Sequence, residues 1–157
     1  MVEVLITGGA GYLGSTLSEE LLNRGYKVTA LDNLMYKQTS LLHLCSNKNF
    51  NFVQQDVTDL DLLKETILNY DVIIPLAAIV GAPACDADKD LATRVNFEQI
   101  QTIVDNLCEN QKLIMPNTNS QYGSSTDIIT EKSPFNPLSH YAKTKCDAED
   151  YILSNYN

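Results

Sequence analysis

The stretch Val4-Leu5-Ile6-Thr7-Gly8-Gly9-Ala10-Gly11-Tyr12-Leu13-Gly14 decides how this chain is read. Its first half is a short, nearly continuous apolar run, the pattern of a strand buried on both faces. Four glycines (Gly8, Gly9, Gly11 and Gly14) then crowd into one turn, and Leu13, Leu17 and Leu21 follow at helical spacing. Two frames fit, Gly8-x-x-Gly11-x-x-Gly14 and Gly9-x-Gly11-x-x-Gly14, and they share their physics. A tight turn needs backbone angles that a side chain forbids, and a bare Cα lets a pyrophosphate approach the main chain. The helix start then offers N–H groups and a partial positive charge to phosphates.

Working outward, a second apolar run, Lys27–Leu31, ends at Asp32, eighteen positions beyond Gly14. That is close to the roughly twenty expected for a carboxylate that binds the adenosine ribose of a dinucleotide. Asp32, with Asn33 beside it, is the candidate ribose site. A carboxylate there repels a 2′-phosphate, and the nearest base, Lys37, lies several residues on, so NAD is expected rather than NADP. Further strand-like runs are Phe50–Val53, Asp71–Leu76 and Lys112–Met115. Between them, Leu60, Leu63, Ile67 and Leu68 mark a helix that Thr58 or Asp59 is placed to cap. Leu91, Val95, Ile103, Val104 and Leu107 line a long helix, and Tyr141 to Leu153 reads as a last one. Pro75 and Pro116 each fall late in a strand, where a missing N–H ends the ladder. Such alternation predicts an α/β fold with a doubly wound parallel sheet, and the dinucleotide-binding turn goes with five strands in the order 3-2-1-4-5. Residues 1–157 read as one dinucleotide-binding domain.

Composition bounds the function. The net charge is −9 over 157 residues with no Lys/Arg cluster, which argues against nucleic acid and an anionic membrane surface as partners. The longest apolar run, Val72 to Ala84, holds two prolines and is too short to span a bilayer. No leader precedes the first strand, so the cytosol is the expected location. Cys45, Cys85, Cys108 and Cys146 are far apart, as expected of reduced thiols, and His43 and His140 are scattered, so no metal is expected.

Tyr141-Ala142-Lys143-Thr144-Lys145 places a phenol and an ammonium four residues apart on the last helix, hence on one face. A positive charge there favours the phenolate, the form that takes a proton. With these residues in view the chain resembles the extended short-chain dehydrogenases/reductases, the group of UDP-galactose 4-epimerase and its nucleotide-sugar relatives. The resemblance implies that Gly8, Gly11, Tyr12, Leu13 and Gly14 form the cofactor turn. It implies that Asp56 and Val57 contact the adenine, and that Leu76, Ala77 and Ala78 line the cofactor, although Pro75 replaces the usual histidine. Asn96 matches an asparagine of the family's long helix and joins the cofactor set. Pro116-Asn117-Thr118-Asn119-Ser120-Gln121-Tyr122-Gly123 resembles the segment ending in Tyr-Gly whose hydroxyl residue, four before the tyrosine, is here Thr118.

Thr118, Tyr141 and Lys145 are therefore the implied catalytic set, with Tyr141 and Lys145 also against the cofactor. Tyr141 would take a proton from a sugar hydroxyl as hydride passes to NAD, Thr118 would hydrogen-bond the same oxygen, and Lys145 would bind the nicotinamide ribose. One departure narrows the chemistry. The family's 4,6-dehydratases carry a glutamate two residues before the Tyr-Gly, often behind an aspartate, where this chain has Ser120 and Asn119. An NAD-dependent nucleotide-sugar epimerase working through a transient keto sugar is expected. Keto-reductase, dehydratase or a reductase of steroid-like or flavonoid-like carbonyls are the enzymic alternatives, and a non-catalytic NAD-binding sensor or scaffold the alternative of another class. Family members continue with further strands and a substrate region, so the chain reads as a truncated N-terminal half, inactive alone. The two long helices resemble a pair that forms a homodimer interface, and Phe97 and Ile100 beside Ile103 and Leu107 suggest a second apolar side.

Overall fold

The computed structural model describes residues 1–124 and 128–156. They form two compact units, Met1–Ala77 with Asn106–Pro116, and 78–105 with 117–156.

The first unit holds a five-stranded parallel sheet. Its strands are β1 (Glu3–Thr7), β2 (Lys27–Asp32), β3 (Phe50–Gln54), β4 (Val72–Pro75) and β5 (Lys112–Leu113), in the order β3-β2-β1-β4-β5. The expected order is the observed one. The chain winds outward from β1 to β3, returns to β4 beside β1 and winds outward again. The order thus reverses between β1 and β4, and in such sheets ligands bind off the carboxyl ends of the strands at that point. Register aligns those ends, with Thr7 opposite both Leu31 and Pro75. Pro75 closes β4 as expected, whereas Pro116 lies beyond the short β5 and ends nothing.

Alternation along the strands turns Val4, Ile6, Val28, Ala30 and Ile74 to one face, where Leu22, Leu41 and Leu44 complete a buried cluster. Helix α1 (Tyr12–Asn23) supplies Leu22, and its buried line is Gly14, Ser18 and Leu22. The leucine stripe expected from the sequence is therefore rotated: Leu17 and Leu21 flank the core, and Leu13 is 60% exposed. Helix α2 (Leu60–Ile67) buries Leu63 and Ile67 completely, and Leu68 is exposed. Of the two possible caps, Asp59 accepts from the Leu62 N–H at 3.2 Å, a contact worth about 1 kcal/mol. At the other end of α2 the buried Gln111 donates to the carbonyls of Ile67 and Tyr70 at 2.6 and 2.7 Å.

The second unit is helical among the described residues. Helices α3 (Ala82–Ala87) and α4 (Lys89–Thr93) meet at Asp88, whose carboxylate caps α4 at the Leu91 N–H. A π-helical turn, Arg94–Glu98, leads without a break into α5 (Gln99–Asp105). The expected long helix is thus a rod from Lys89 to Asp105 with a widened turn at its middle, and Leu107 lies past its end. Helix α6 (His140–Asn155) is capped by Ser139 and packs on α3, α4, the π turn and α5. Ile100 and Ile103 are almost wholly buried inside the chain, and Phe97 stacks edge-on against Tyr151 at 6.2 Å. The apolar residues taken as a second, outward side are largely internal. No described helix is long and apolar enough to cross a membrane.

Candidate functional site

In the first unit the glycines form a cradle at the switch point. Gly8 sits at φ +65°, and a Cβ there would lie 2.6 Å from the Ala77 nitrogen and 2.8 Å from the Leu76 carbonyl carbon. Strand β1 holds that neighbour in place, because Leu76 N–H donates to the Thr7 carbonyl at 3.0 Å and Ala77 N–H to Thr7 Oγ1 at 3.3 Å. A Cβ on Gly14 would lie 2.5 Å from the Gly8 carbonyl oxygen, so only glycine lets α1 start this close to the turn. Gly11 occupies the N-cap position and brings no capping side chain. The first turn of α1, with Tyr12 and Leu13 strongly exposed, is thereby left open to an anion.

Asp32 is 8% exposed and docks on this turn. One carboxylate oxygen accepts from the Ala10 N–H at 3.0 Å and the other from the Leu34 N–H at 2.8 Å. A second lone pair on each oxygen serves further donors. Ser40 Oγ donates to the Ala10 carbonyl at 2.6 Å, so the Ala10 peptide is held from both sides. Nothing in the sequence marks Ser40, thirty residues away, for this part. Asn33 and Asp56 are brought together, Asn33 Nδ2 donating to Asp56 Oδ2 at 2.9 Å. Asp56 Oδ1 also accepts from the N–H and hydroxyl of Thr58, which is where the rejected cap residue goes, and Val57 is buried beside it.

In the second unit the chain continues through Ala78 to Ile79, whose N–H and carbonyl are both bound by the Asn96 amide at 2.8 and 3.0 Å. Asn96 lies in the π turn, is 2% exposed, and also donates to Thr144 Oγ1 at 3.2 Å. Thr144 in turn donates to the Tyr141 carbonyl at 2.9 Å. Asn96, expected against the cofactor, thus ties the segment after β4 to the helix that carries Tyr141. His140 Nε2 reaches Thr93 Oγ1 and the Lys89 carbonyl at 3.0 and 3.1 Å, anchoring the start of the same helix.

Tyr141 is half-buried on the first turn of α6, and Lys145 one turn on is 8% exposed. Burial pushes the Lys145 ammonium below its ordinary range, and Glu149, a further turn along, partly opposes that. Thr118 caps the 3₁₀ turn Asn119–Tyr122, accepting from the Ser120 N–H at 3.2 Å, and α6 packs on this turn. Thr118, Tyr141 and Lys145 therefore belong to one packed unit. Tyr122 of the Tyr-Gly pair is a packing residue, edge-on to Phe135 at 5.5 Å.

The profile of the NAD dependent epimerase/dehydratase family matches residues 4–156. The chain belongs to that family. NAD is its cofactor. Among curated relatives, it is 34% identical over 128 residues to a UDP-N-acetyl-alpha-D-glucosaminuronate decarboxylase of Bacillus cytotoxicus, covering 81% of this chain and 40% of that protein. It is 31% identical to a UDP-glucose 4-epimerase of Mycolicibacterium smegmatis, covering 96% of this chain and 50% of that one. The structure of UDP-glucuronic acid 4-epimerase from Bacillus cereus, in complex with UDP-glucuronic acid and NAD, superposes with a TM-score of 0.88 at 27% identity, covering 98% of this chain and 52% of that one. This epimerase/dehydratase chain spans about half the length of these relatives.

The cradle fits a dinucleotide, since a turn packed too closely for a Cβ at Gly8 or Gly14 leads into a helix start with no capping side chain. Two predictions follow from the family's cofactor. Calorimetric titration is expected to give tighter binding of NAD than of NADP. Asp32→Ala should weaken NAD by about 10- to 100-fold, the range for losing hydrogen bonds to a charged group, and narrow the gap between the two. Equal or tighter NADP binding by the parent chain would sink the assignment.

The second concerns Lys145. Its pKa is lowered in the folded state, so between that value and the ordinary 10.5 the folded chain binds fewer protons than the unfolded one. Stability therefore rises with pH through that window, and below it the buried ammonium is a standing cost. Lys145→Met keeps the apolar stem and removes the charge. Its melting temperature at pH 7 should equal or exceed the parent's, and a clear drop in a thermal scan would contradict this.

Proposed function

We propose that this chain is the cofactor-binding and catalytic part of an NAD-dependent nucleotide-sugar epimerase that works through a transient keto sugar. One observation carries the reading. Thr118 lies in the turn that α6, with Tyr141 and Lys145, packs against, while the residues after it are Asn119 and Ser120. An amide and a hydroxyl cannot act as the carboxyl acid and base that elimination of water requires. The names of the relatives, with 4-epimerases among them, support the same class.

In this reading Gly8, Gly11, Gly14, Asp32 and the segment Leu76-Ala77-Ala78 would hold NAD, which would supply the acceptance and return of a hydride. Tyr141 Oη takes the proton of the sugar hydroxyl. It stands on the first turn of α6, one turn before Lys145. Thr118 Oγ1 now donates to Ser120 Oγ at 3.2 Å. Its proton turns to the sugar oxygen and holds that oxygen at the phenol. We also propose a cytosolic homodimer, which sedimentation at micromolar concentration would test. For the activity, the full-length protein is incubated with NAD and a panel of UDP-, dTDP-, GDP- and CDP-sugars, and products are separated by chromatography and NMR. An epimer is expected; a sugar that has lost water would replace epimerase with dehydratase.

A further inference from the structure

Helix α6 carries a third polar residue in line with Tyr141 and Lys145. Glu149 follows Lys145 by four residues and is half-buried. Its Oε2 accepts a hydrogen bond from Asn117 Nδ2. The other end of the same amide, Asn117 Oδ1, accepts from the Thr118 N–H at 2.9 Å. Thr118 then binds Ser120 through its own hydroxyl, whose proton points to Ser120 Oγ and whose oxygen receives the Ser120 N–H, both at 3.2 Å. An unbroken chain of hydrogen bonds thus runs from α6 through Asn117 to the residue whose hydroxyl faces the chemistry.

We infer that Asn117 and Glu149 are positioning residues, joining the turn that carries Thr118 to the helix that carries Tyr141 and Lys145. The role rests on the epimerase reading above and extends it to two residues outside the catalytic set. The geometry needs a tie at this point. Thr118 sits in a loop, whereas Tyr141 and Lys145 are fixed on a helix, and a hydroxyl misplaced by about 1 Å can reduce rate by as much as 10²-fold. An amide is suited to the task because it donates at one end and accepts at the other. The Glu149 carboxylate does two things at once, since it also bears on Lys145, where it counteracts the effect of burial on the ammonium.

The two contributions separate by substitution. Glu149→Gln keeps an acceptor for Asn117 and removes the charge. Asn117→Ala cuts the link and leaves the charge in place. Amide hydrogen exchange at Thr118 and Ser120, and the titration of a labelled Lys145 Nζ, are followed by NMR on the 157-residue chain. Asn117→Ala is expected to raise exchange at both amides by about tenfold or more with the Lys145 titration unmoved. Glu149→Gln should leave exchange near the parent's and shift the Lys145 titration to lower pH. In a form of the protein that turns over a sugar, Asn117→Ala should lower kcat by about 10- to 100-fold at unchanged KM for NAD. The double variant Asn117→Asp/Glu149→Gln, which reverses donor and acceptor across the same contact, should restore the protection. Parent-like exchange and parent-like kcat in Asn117→Ala, or no response of Lys145 to Glu149→Gln, would overturn the inference. These NMR arms need no substrate, so absence of epimerase activity in the full-length parent would count against the functional reading alone.

Discussion

Replacing Tyr141 by phenylalanine in the full-length protein is expected to reduce turnover by about 10²–10⁴-fold, the range that general acid–base catalysis supplies, while leaving NAD affinity within about twofold. The substitution removes one oxygen at the reacting centre. Everything else that Tyr141 does survives: its carbonyl still accepts from Thr144 Oγ1, and α6 keeps its Ser139 cap. The glycine cradle and Asp32 lie in the other unit and are untouched. Steady-state kinetics and calorimetry on the same preparation decide the matter. Residual activity within about tenfold of the parent would remove Tyr141 from the role of base. A loss of NAD affinity as large as the loss of turnover would mean that the phenol serves binding rather than proton transfer.

Gly8→Ala is expected to destabilise the fold by about 2–5 kcal/mol and to abolish NAD binding. Two independent costs combine. The residue sits at φ +65°, where an L side chain is disfavoured by about 1–2 kcal/mol. The new Cβ would also lie 2.6 Å from the Ala77 nitrogen, main chain pinned by its hydrogen bond to Thr7 Oγ1. Overpacking against atoms that cannot swing aside costs about 1–3 kcal/mol more. Against a typical total of about 5–15 kcal/mol, that is a large share. Gly25→Ala is the control, because Gly25 has φ +86° and nothing within 4 Å of a Cβ. It should pay only the backbone cost and leave NAD binding intact. Urea denaturation of the two variants separates strain from collision, and equal losses would show that the contact with Ala77 is not what makes Gly8 obligatory.

Several features were legible in the sequence because they are local. A buried parallel strand reads as an apolar run, and Gly8, Gly9 and Gly14 mark the turn because a Cβ at any of them would come within 3.0 Å of neighbouring backbone. The parallel sheet followed from the alternation of strands and helices, since parallel neighbours need crossovers, and its order goes with the dinucleotide-binding turn. Tyr141 and Lys145 were legible for the same reason: four residues on a helix is one turn.

Tertiary structure alone decided the rest. The buried line of α1 is Gly14-Ser18-Leu22 rather than the leucine stripe, because Gly14 faces the turn so closely that a Cβ would lie 2.5 Å from the Gly8 oxygen, and the helix rotates to suit. Asp88 divides the helical segment after β4 into α3 and the rod, and a π turn aims Asn96 at Ile79, a partner seventeen residues away. Ser40 against Ala10, Gln111 against the end of α2, and Glu149 against Asn117 are likewise contacts between distant segments. Local propensity carries no record of such pairs. Side-chain amides, hydroxyls and carboxylates bond whichever backbone or side-chain group the packing brings within about 3 Å. The sequence therefore specified the glycine turn and the one-turn spacing of Tyr141 and Lys145, and the packing of the helices specified which residues hold them in place.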